Sequence, residues 1–351
     1  MKIAVLGAGF AGLAVTAHLV RYTRGRARID LYDPEPIGSG PSGISLGLVN
    51  PYMGKKAART WKGASCLAEL HRLLSMASQS IKHPIVLSKG ILRPASTEEQ
   101  VKAFLDVAVS DRRVEWWPRE ASIQAVHGLH LPVGGGALYI KEGFTMDVQH
   151  YLQGLFRAVT AHGVVFKTIR GISRQDMDKC DRIIVCLGAN SLGFPELKSL
   201  PMSPVKGQIL TLKWPQGTPP LPMSLVGEKQ IVMSPNGLAC SIGSTYEHNF
   251  GDLNAHKEQT AQELIPKITP FFPMLEKAEI IECRSGVRAS STSRKPLIGK
   301  VGEKMWFFTG LGSRGLLQHA WLGKRLARAI ISDDLEKHIP PEVLCTLPQQ
   351  S

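Results

Sequence analysis

The chain has 351 residues, 43% of them hydrophobic, and its formal net charge is +13. This length allows two domains, and this hydrophobic content excludes an intrinsically disordered chain. Its six cysteines lack metal-site spacing and no apolar run is long enough to span a bilayer, so we predict neither a metal site nor a membrane span. The basic balance leaves two interpretations open, an ordinary solvated surface or one that binds anionic partners such as nucleic acid.

The chain begins with an apolar stretch, residues 2–6, that runs directly into the pattern Gly-x-Gly-x-x-Gly formed by Gly7, Gly9 and Gly12. A helical pattern follows, and a second strand-like stretch ends at the acid Asp33. This spacing is typical of a dinucleotide-binding turn. The glycines allow a tight turn, close approach to a pyrophosphate and helix packing, and the acid accepts hydrogen bonds from a ribose. The helix N-terminus offers free N–H groups to the phosphates.

A loop rich in Gly, Pro and Ser follows at 34–43, and it is long enough to wrap a ligand. The next predicted elements, in chain order, are a helix at about 60–80, a strand at 85–94, a helix around 101–109, short strands within 114–141, a helix at 149–162 and a strand at 164–167.

Two later segments repeat the strand-then-glycine pattern of the start. Residues 182–187 form a buried strand that ends at Gly188, and a strand at 306–309 enters a glycine-rich turn before a helix at about 316–331. Between them, 204–250 has the pattern of an antiparallel sheet, followed by a helix at 255–268. The returning glycine turn indicates a large cofactor held at more than one edge, as FAD is.

This alternation predicts an α/β fold, a discontinuous Rossmann-like FAD-binding domain with an inserted antiparallel-sheet substrate domain. The predicted boundaries are 1–84, 142–203 and 285–351 for the FAD-binding domain, and 85–141 and 204–284 for the substrate domain.

Several segments together resemble the D-amino-acid oxidase family of FAD enzymes. They are the N-terminal turn, 41–43, 145–147, 185–189, 205–208, 241–246, 285–288, 296–299 and the turn at 310–316. Within that family, 42–51 and 310–316 resemble the FAD domain of the bifunctional enzymes that modify the tRNA wobble uridine. The methyltransferase half of those enzymes is missing, and the family's usual Asp near Ser293 is absent.

The resemblance implies an enzyme that oxidises the C–N bond of a glycine-like amine with noncovalent FAD. The substrate is either a carboxymethylaminomethyl group on tRNA or a free amino acid, as in glycine oxidase. It also implies the cofactor-binding residues, which are Gly7, Gly9, Phe10, Ala11, Gly12, Asp33, Ser42, Gly43, Ile172, Gly188, Gly312, Ser313, Arg314, Gly315 and Leu316.

Arg288 and Tyr246 are the candidate catalytic residues that the resemblance implies. A guanidinium matches a carboxylate with two parallel hydrogen bonds, so Arg288 fits a substrate carboxylate; a structural ion pair or a phosphate contact is the alternative. The Tyr246 hydroxyl faces the same carboxylate by resemblance, or the residue is an ordinary tyrosine. Arg314 is either a charge near the flavin or a surface residue. We expect His319 and His248 to be structural.

Residues 284–328 hold ten Lys or Arg against the single acid Glu303. We predict a rim that receives RNA phosphates, with Lys324 and Arg325 among its exposed residues. The cysteine pattern predicts a cytoplasmic protein, and because the chain begins with a core strand we expect no removable signal peptide.

Overall fold

The structure is a computed structural model and describes residues 1–168 and 173–347. Its helices are α1 (Phe10–Thr23), α2 (Gly63–Ser78), α3 (Glu98–Ser110), α4 (Arg119–Ala125), α5 (Val148–Ala161), α6 (Arg174–Asp178), α7 (Lys257–Ile268), α8 (Gly315–Ser332) and α9 (Leu335–His338). Its strands are β1 (Lys2–Leu6), β2 (Arg28–Tyr32), β3 (Leu48–Val49), β4 (Tyr52–Met53), β5 (Ala58–Arg59), β6 (Val86–Pro94), β7 (Val114–Pro118), β8 (Gly136–Met146), β9 (Val165–Lys167), β10 (Arg182–Val185), β11 (Met202–Lys213), β12 (Ser224–Val226), β13 (Gln230–Met233), β14 (Ala239–Gly243), β15 (Ile280–Ser291), β16 (Leu297–Val301) and β17 (Met305–Thr309).

A mainly parallel sheet has the strand order β16-β17-β10-β1-β2-β9. β1 lies parallel to β2 and β10, β17 lies parallel to β10, and β16 runs antiparallel beside β17. Ile3 and Val5 pack into the core formed with α1, α2, α5 and α8, whereas Ala4 and Leu6 pack into a second core on the opposite face. Because both faces are covered, the strand is continuously apolar, and the predicted α/β class is confirmed.

The second sheet has the order β15-β11-β14-β13-β12-β6-β8-β3, with β7 paired to β8. Its 202–243 strands pair antiparallel with one another, as the alternating pattern predicts. β12 joins the other half of the sheet by parallel pairing with β6. Each sheet draws on widely separated parts of the chain, and we keep the predicted two-domain division as a proposal.

The prediction of short strands throughout 114–141 is wrong in one place. Helix α4 lies between β7 and β8 and follows Pro118. The helix has seven residues, which is too short for a helical period to emerge from the sequence. Its Ile123 packs against the core of the second sheet, so tertiary packing supplies the stabilisation that local pattern does not.

The parallel sheet determines where the site lies. The carboxyl ends of β1, β10 and β17 lead into Gly7, Gly188 and Gly310, which have φ values of 99°, 58° and 69°. These left-handed conformations favour glycine, and they turn three adjacent strands at the same edge of the sheet. Ligands of open α/β sheets bind in the crevice at this edge.

Within residues 1–168 and 173–347, no helix combines the length and apolar character needed to cross a membrane. All six cysteines are free thiols.

Candidate active site

A cavity of about 1380 Å³ lies at the carboxyl edge of the parallel sheet and extends to the second sheet. Most of the predicted site residues line it, namely Gly7, Gly9, Phe10, Ala11, Asp33, Ser42, Gly188, Tyr246, Arg288, Gly312, Ser313, Arg314, Gly315 and Leu316. Gly12 and Gly43 do not line the cavity, and Ile172 lies outside the described residues.

The N-terminal turn needs glycine at three positions because a side chain at any of them would overlap its surroundings. A Cβ at Gly7 would lie 2.5 Å from the carbonyl oxygen of Cys186, and one at Gly9 would lie 2.7 Å from Ser42 Oγ. A Cβ at Gly12 would overlap the carbonyl oxygen of Gly7, so Gly12 allows the helix to pack against its own turn. Helix α1 has no side-chain cap from its N-cap residue Gly9 and no acid in its first turn, which suits an anion at this helix start.

Asp33 lies at the end of β2 and its carboxylate is fixed by two backbone donors. The Ala8 amide donates to Oδ2 at 2.7 Å, and the Glu35 amide donates to Oδ1 at 3.0 Å. A carboxylate has about four lone-pair sites, so these two bonds leave acceptor capacity facing the cavity. The geometry suits acceptance of a ribose hydroxyl.

The predicted wrapping loop is held in place by Gln149, a residue that the sequence analysis missed. Its amide Nε2 donates to the carbonyl oxygens of Gly38 and Gly43 at 2.9 and 3.0 Å. A Cβ at Gly43 would overlap the Gly38 carbonyl, so Gly43 shapes the loop and Ser42 reaches the cavity. Ser42 Oγ accepts a hydrogen bond from the Phe10 amide at 3.2 Å, which ties the loop to the start of α1.

The C-terminal glycine turn continues directly into α8. Gly312 has a φ of 54°, and α8 starts at Gly315 without a side-chain cap. Arg314 is half-buried and lines the cavity, so it is not a freely exposed surface residue. Backbone N–H groups at this helix start are available to a ligand.

His319 belongs to the frame behind this turn. The residue is fully buried, its Nε2 lies 2.7 Å from the Tyr151 hydroxyl, and its Nδ1 lies 3.0 Å from the Gly315 carbonyl oxygen. Its ring centroid lies 5.0 Å from that of Phe10. His248 is exposed and does not line the cavity. The geometry supports a structural role for His319, and it places His248 away from the cavity.

This burial makes His319 a source of acid sensitivity. Burial lowers the pKa of His319 from 6.5 to about 4. Between these two values the imidazole is protonated in the unfolded chain but remains neutral in the folded protein. Stability therefore falls as pH drops from 6.5 toward 4, by about 2 kcal/mol between pH 7 and pH 5 from this group. We expect His319→Gln to be less stable at pH 7 but to lose about 2 kcal/mol less over this interval. Urea unfolding at both pH values measures this, and equal pH dependence in variant and parent would contradict it.

Arg288 lies on β15, opposite Val205 of β11, with its guanidinium in the cavity wall. Its Nη1 donates to the carbonyl oxygen of Thr245 at 3.2 Å, and its Nη2 donates to Ser244 Oγ at 2.5 Å. A Cβ at Gly207 would overlap the guanidinium, so this glycine provides its space. Burial lowers the pKa of the guanidinium.

The Arg288 guanidinium has no carboxylate partner within ion-pair distance among the described residues. Its ring neighbour is Tyr246, whose aromatic face lies 4.8 Å from the guanidinium carbon. Tyr246 itself is 56% exposed. A half-buried cation without an ion-paired anion costs free energy, and a carboxylate bound in the cavity would supply such a partner. The fork has five N–H donors, and two of them are used by the protein.

The segment that holds Arg288 is itself braced from behind. Lys229 Nζ donates to the Ser244 carbonyl oxygen at 2.6 Å and to Glu263 Oε1 at 3.1 Å. Thr245 Oγ1 accepts from the Gln208 amide at 2.9 Å. The sequence analysis did not identify Lys229, Ser244 or Thr245 as residues that hold Arg288 in position. Segment 241–246 is nevertheless among those that carry the family resemblance.

The predicted basic rim is not continuous, and the expectation that Lys324 is exposed is wrong. Lys324 Nζ donates to Glu69 Oε2 at 2.5 Å, and its side chain is 16% exposed. Arg325 is half-buried beside the ring of Trp321. Lys300 is paired with Asp333 and Arg284 with Glu282. Acids from elsewhere in the chain therefore neutralise part of the stretch, which the local count of charges does not reveal.

Comparison with known proteins shows which sequences this chain is similar to. The tRNA 5-methylaminomethyl-2-thiouridine biosynthesis bifunctional protein MnmC of Polaromonas sp. is 25% identical over 378 residues, which cover 94% of this chain and 57% of the relative. MnmC of Nitrosospira multiformis is 22% identical, over 89% of this chain and 54% of the relative. The chain thus spans about half the length of the curated relatives it matches.

Solved structures with the same fold include two oxidases. Glycine oxidase from Geobacillus kaustophilus superposes with a TM-score of 0.79 at 18% identity, covering 97% of this chain and 96% of that one. Iminodiacetate oxidase from Chelativorans sp. BNC1 gives 0.79 at 19% identity, covering 96% and 98%. The family described as DAO, FAD dependent oxidoreductase, matches residues 2–329. The chain therefore belongs to the DAO family of FAD-dependent oxidoreductases.

Proposed function

We propose that this flavoenzyme oxidises the C–N bond of a carboxymethylamine, and that its substrate is the carboxymethylaminomethyl group of a tRNA wobble uridine. The observation that carries the chemistry is Arg288, a guanidinium in the cavity wall that lacks a carboxylate partner among the described residues. The tRNA part is supported by relatives named for tRNA 5-methylaminomethyl-2-thiouridine biosynthesis.

The residues of the cavity fit FAD. The glycines at positions 7 and 9 and the start of α1, which has no acid in its first turn, suit a pyrophosphate, and Asp33 has free acceptor capacity for a ribose. A Cβ at Gly188 would meet nothing within 4 Å, so the second turn opens onto space. We propose that these groups and the turn at Gly312 hold the cofactor. Bound FAD supplies the acceptor for the two electrons that leave the substrate.

In this proposal Arg288 orients the substrate. Two of its N–H groups are held by Ser244 and Thr245, so the guanidinium is fixed before a carboxylate binds. A bidentate carboxylate pair then sets the position of the adjacent methylene, which is the carbon to be oxidised. Tyr246 covers one face of the guanidinium and limits its exposure to water. Fixing the reacting groups in this way lowers the reaction barrier substantially, because their orientation no longer has to be found by chance.

With bound FAD as the two-electron acceptor, the reaction needs no further reactant besides water. The N–CH2 unit loses two electrons and two protons and becomes an imine, and water then splits the imine into the primary amine and glyoxylate. The described residues that line the cavity include no histidine. A neutral amine that is correctly oriented delivers hydride from its α-carbon, so the proposal needs no strong protein base.

The test is anaerobic mixing of the yellow protein with tRNA that carries carboxymethylaminomethyluridine. We expect the flavin absorbance to bleach and glyoxylate to appear in equal amount. The same tRNA without the carboxymethyl group is the control and is expected to leave the spectrum unchanged. An unchanged spectrum with the modified tRNA would overturn the proposed substrate.

A second candidate is oxidation of a free amino acid or a small amine. The two solved neighbours, named glycine oxidase and iminodiacetate oxidase, match this chain over nearly their whole length. Rapid bleaching by glycine, sarcosine or iminodiacetate, together with no tRNA binding at low salt, would favour this candidate over tRNA.

The FAD is expected to be noncovalent. Cys186 is the cysteine that lines the cavity, and burial raises the pKa of its thiol, so it stays protonated and is a poor nucleophile. Acid precipitation should therefore release the whole yellow chromophore into the supernatant as FAD. Colour that remains in the washed precipitate would contradict this.

A further inference from the structure

The cavity has a basic opening that the proposed chemistry at Arg288 does not use. Strands β4 and β5 pair to form a small hairpin, Tyr52–Arg59, which we call the lysine hairpin. Its turn carries Lys55 and Lys56, which are both exposed and both line the cavity. The turn therefore presents two ammonium groups to solvent at the edge of the same space that Arg288 lines.

The conformation of the lysine hairpin is fixed by its surroundings. Gly54 and Ala57, which flank the two lysines, have φ values of 70° and 51°, and Ala57 is fully buried. The Ala57 amide donates to the Gly54 carbonyl oxygen at 3.3 Å. Asn50 Oδ1 accepts from the Tyr52 amide at 2.9 Å. A buried residue in a left-handed conformation pins the turn, so the lysines extend from a rigid base.

Arg93 is buried beneath the lysine hairpin, where it hydrogen-bonds to the hairpin backbone and adds a third positive charge. It is 6% exposed, and it donates from Nη1 to the Tyr52 carbonyl at 3.1 Å and from Nη2 to the Gly54 carbonyl at 2.7 Å. Burial lowers its pKa to about 10, so it stays charged at neutral pH. Its Nε is buried without a hydrogen-bond partner, and no carboxylate pairs with it among the described residues. A buried cation without a counter-charge raises the positive potential of the adjacent surface.

Positive charge therefore dominates the part of the cavity away from the nucleotide turn. In the described part of the chain, the charged side chains that line it outside residues 33–35 are the cations Lys55, Lys56, Arg93, Arg288 and Arg314 and the acids Glu99 and Glu228.

We propose that the lysine hairpin binds phosphates of a polynucleotide whose modified base enters the cavity; this inference rests on the proposed function. A glycine-like amine has one carboxylate, and in the proposed function Arg288 takes it. Exposed lysines gain little from a single small anion, since solvent screens them. A nucleic-acid backbone offers several phosphates. Each phosphate that a lysine neutralises releases counterions, so the affinity increases with the number of phosphates contacted.

The experiment compares three double variants for tRNA binding over a range of salt concentrations. In K55E/K56E the slope of log affinity against log salt should become shallower by about 0.7–0.9 for each phosphate that the hairpin no longer neutralises. The charge-matched control K198E/K277E changes two exposed lysines that do not line the cavity and should keep the parent slope. K55R/K56R keeps both charges and should bind as the parent does. The flavin spectrum reports that each variant is folded.

The outcomes separate the two proposals. A parent protein that binds no tRNA at low salt overturns the proposed tRNA substrate and the docking role together. A parent that binds and bleaches with modified tRNA, beside a K55E/K56E variant with the same slope and affinity, overturns only the docking role. Equal losses of affinity in K55E/K56E and K198E/K277E would likewise overturn it, because the effect would then follow net charge and not the position of the hairpin.

Discussion

Replacing Arg288 by lysine is expected to lower kcat/KM by roughly 30- to 1000-fold, which corresponds to about 2–4 kcal/mol of transition-state binding. An ammonium is a point charge and cannot make two parallel hydrogen bonds to a carboxylate while also donating to Ser244 and Thr245. The substrate methylene would then lose its fixed position. Steady-state kinetics with the substrate identified by bleaching measure the effect, and the flavin spectrum should be unchanged.

The matched control for this change is Arg284→Lys. Arg284 lies on the same strand, β15, is paired with Glu282 at 3.2 Å, and does not line the cavity. Its replacement is expected to leave kcat/KM within about twofold of the parent, since half-exposed ion pairs contribute little. Parent-like kcat/KM in Arg288→Lys would show that this guanidinium does not hold the substrate.

The second large effect is expected for Gly7→Ala, which should yield protein with little or no bound FAD. A side chain at φ 99° is strained by about 1–2 kcal/mol, and the added Cβ would lie 2.5 Å from the carbonyl oxygen of Cys186, which directly follows the neighbouring strand β10. Relief of that overlap must move β1 and β10 apart or shift the turn that we propose to hold the pyrophosphate. The ratio of flavin absorbance to protein absorbance after purification measures occupancy, and thermal unfolding measures stability.

Gly25→Ala separates conformational strain from steric overlap. Gly25 also has a positive φ, 77°, but a Cβ there would meet nothing within 4 Å. The substitution should cost stability of about 1 kcal/mol and leave FAD occupancy at the parent value. Full FAD occupancy in Gly7→Ala, or equal flavin loss in both variants, would contradict the role assigned to the first glycine.

Features set by near neighbours in the chain are the ones that the sequence predicts well. The turn from Gly7 to Gly12, the strand that ends at Gly188 and the strand that enters the 310–315 turn all lie where the sequence predicts them. Their conformations depend on residues a few positions apart, and glycine is required there for local steric reasons. Helix α4 is the local exception, since it is too short to produce a period.

Features set by pairing between distant segments required the tertiary structure. The space for the Arg288 guanidinium comes from Gly207 across the β11–β15 ladder, and its acceptors come from the turn after β14. Lys324 is neutralised by Glu69, 255 positions away, so a count of charges along the chain overstated the exposed positive surface.

The sequence by itself determined the dinucleotide turn and the class of fold, because both depend on residue type and short spacing, and its family resemblance implied Arg288 as the candidate carboxylate ligand. Only the tertiary structure decided that Arg288 is held by Ser244 and Thr245, and that Lys55 and Lys56 stand over Arg93 beside the same cavity. These arrangements arise when strands remote in sequence come into register, and burial and charge pairing then depend on neighbours that no local pattern specifies.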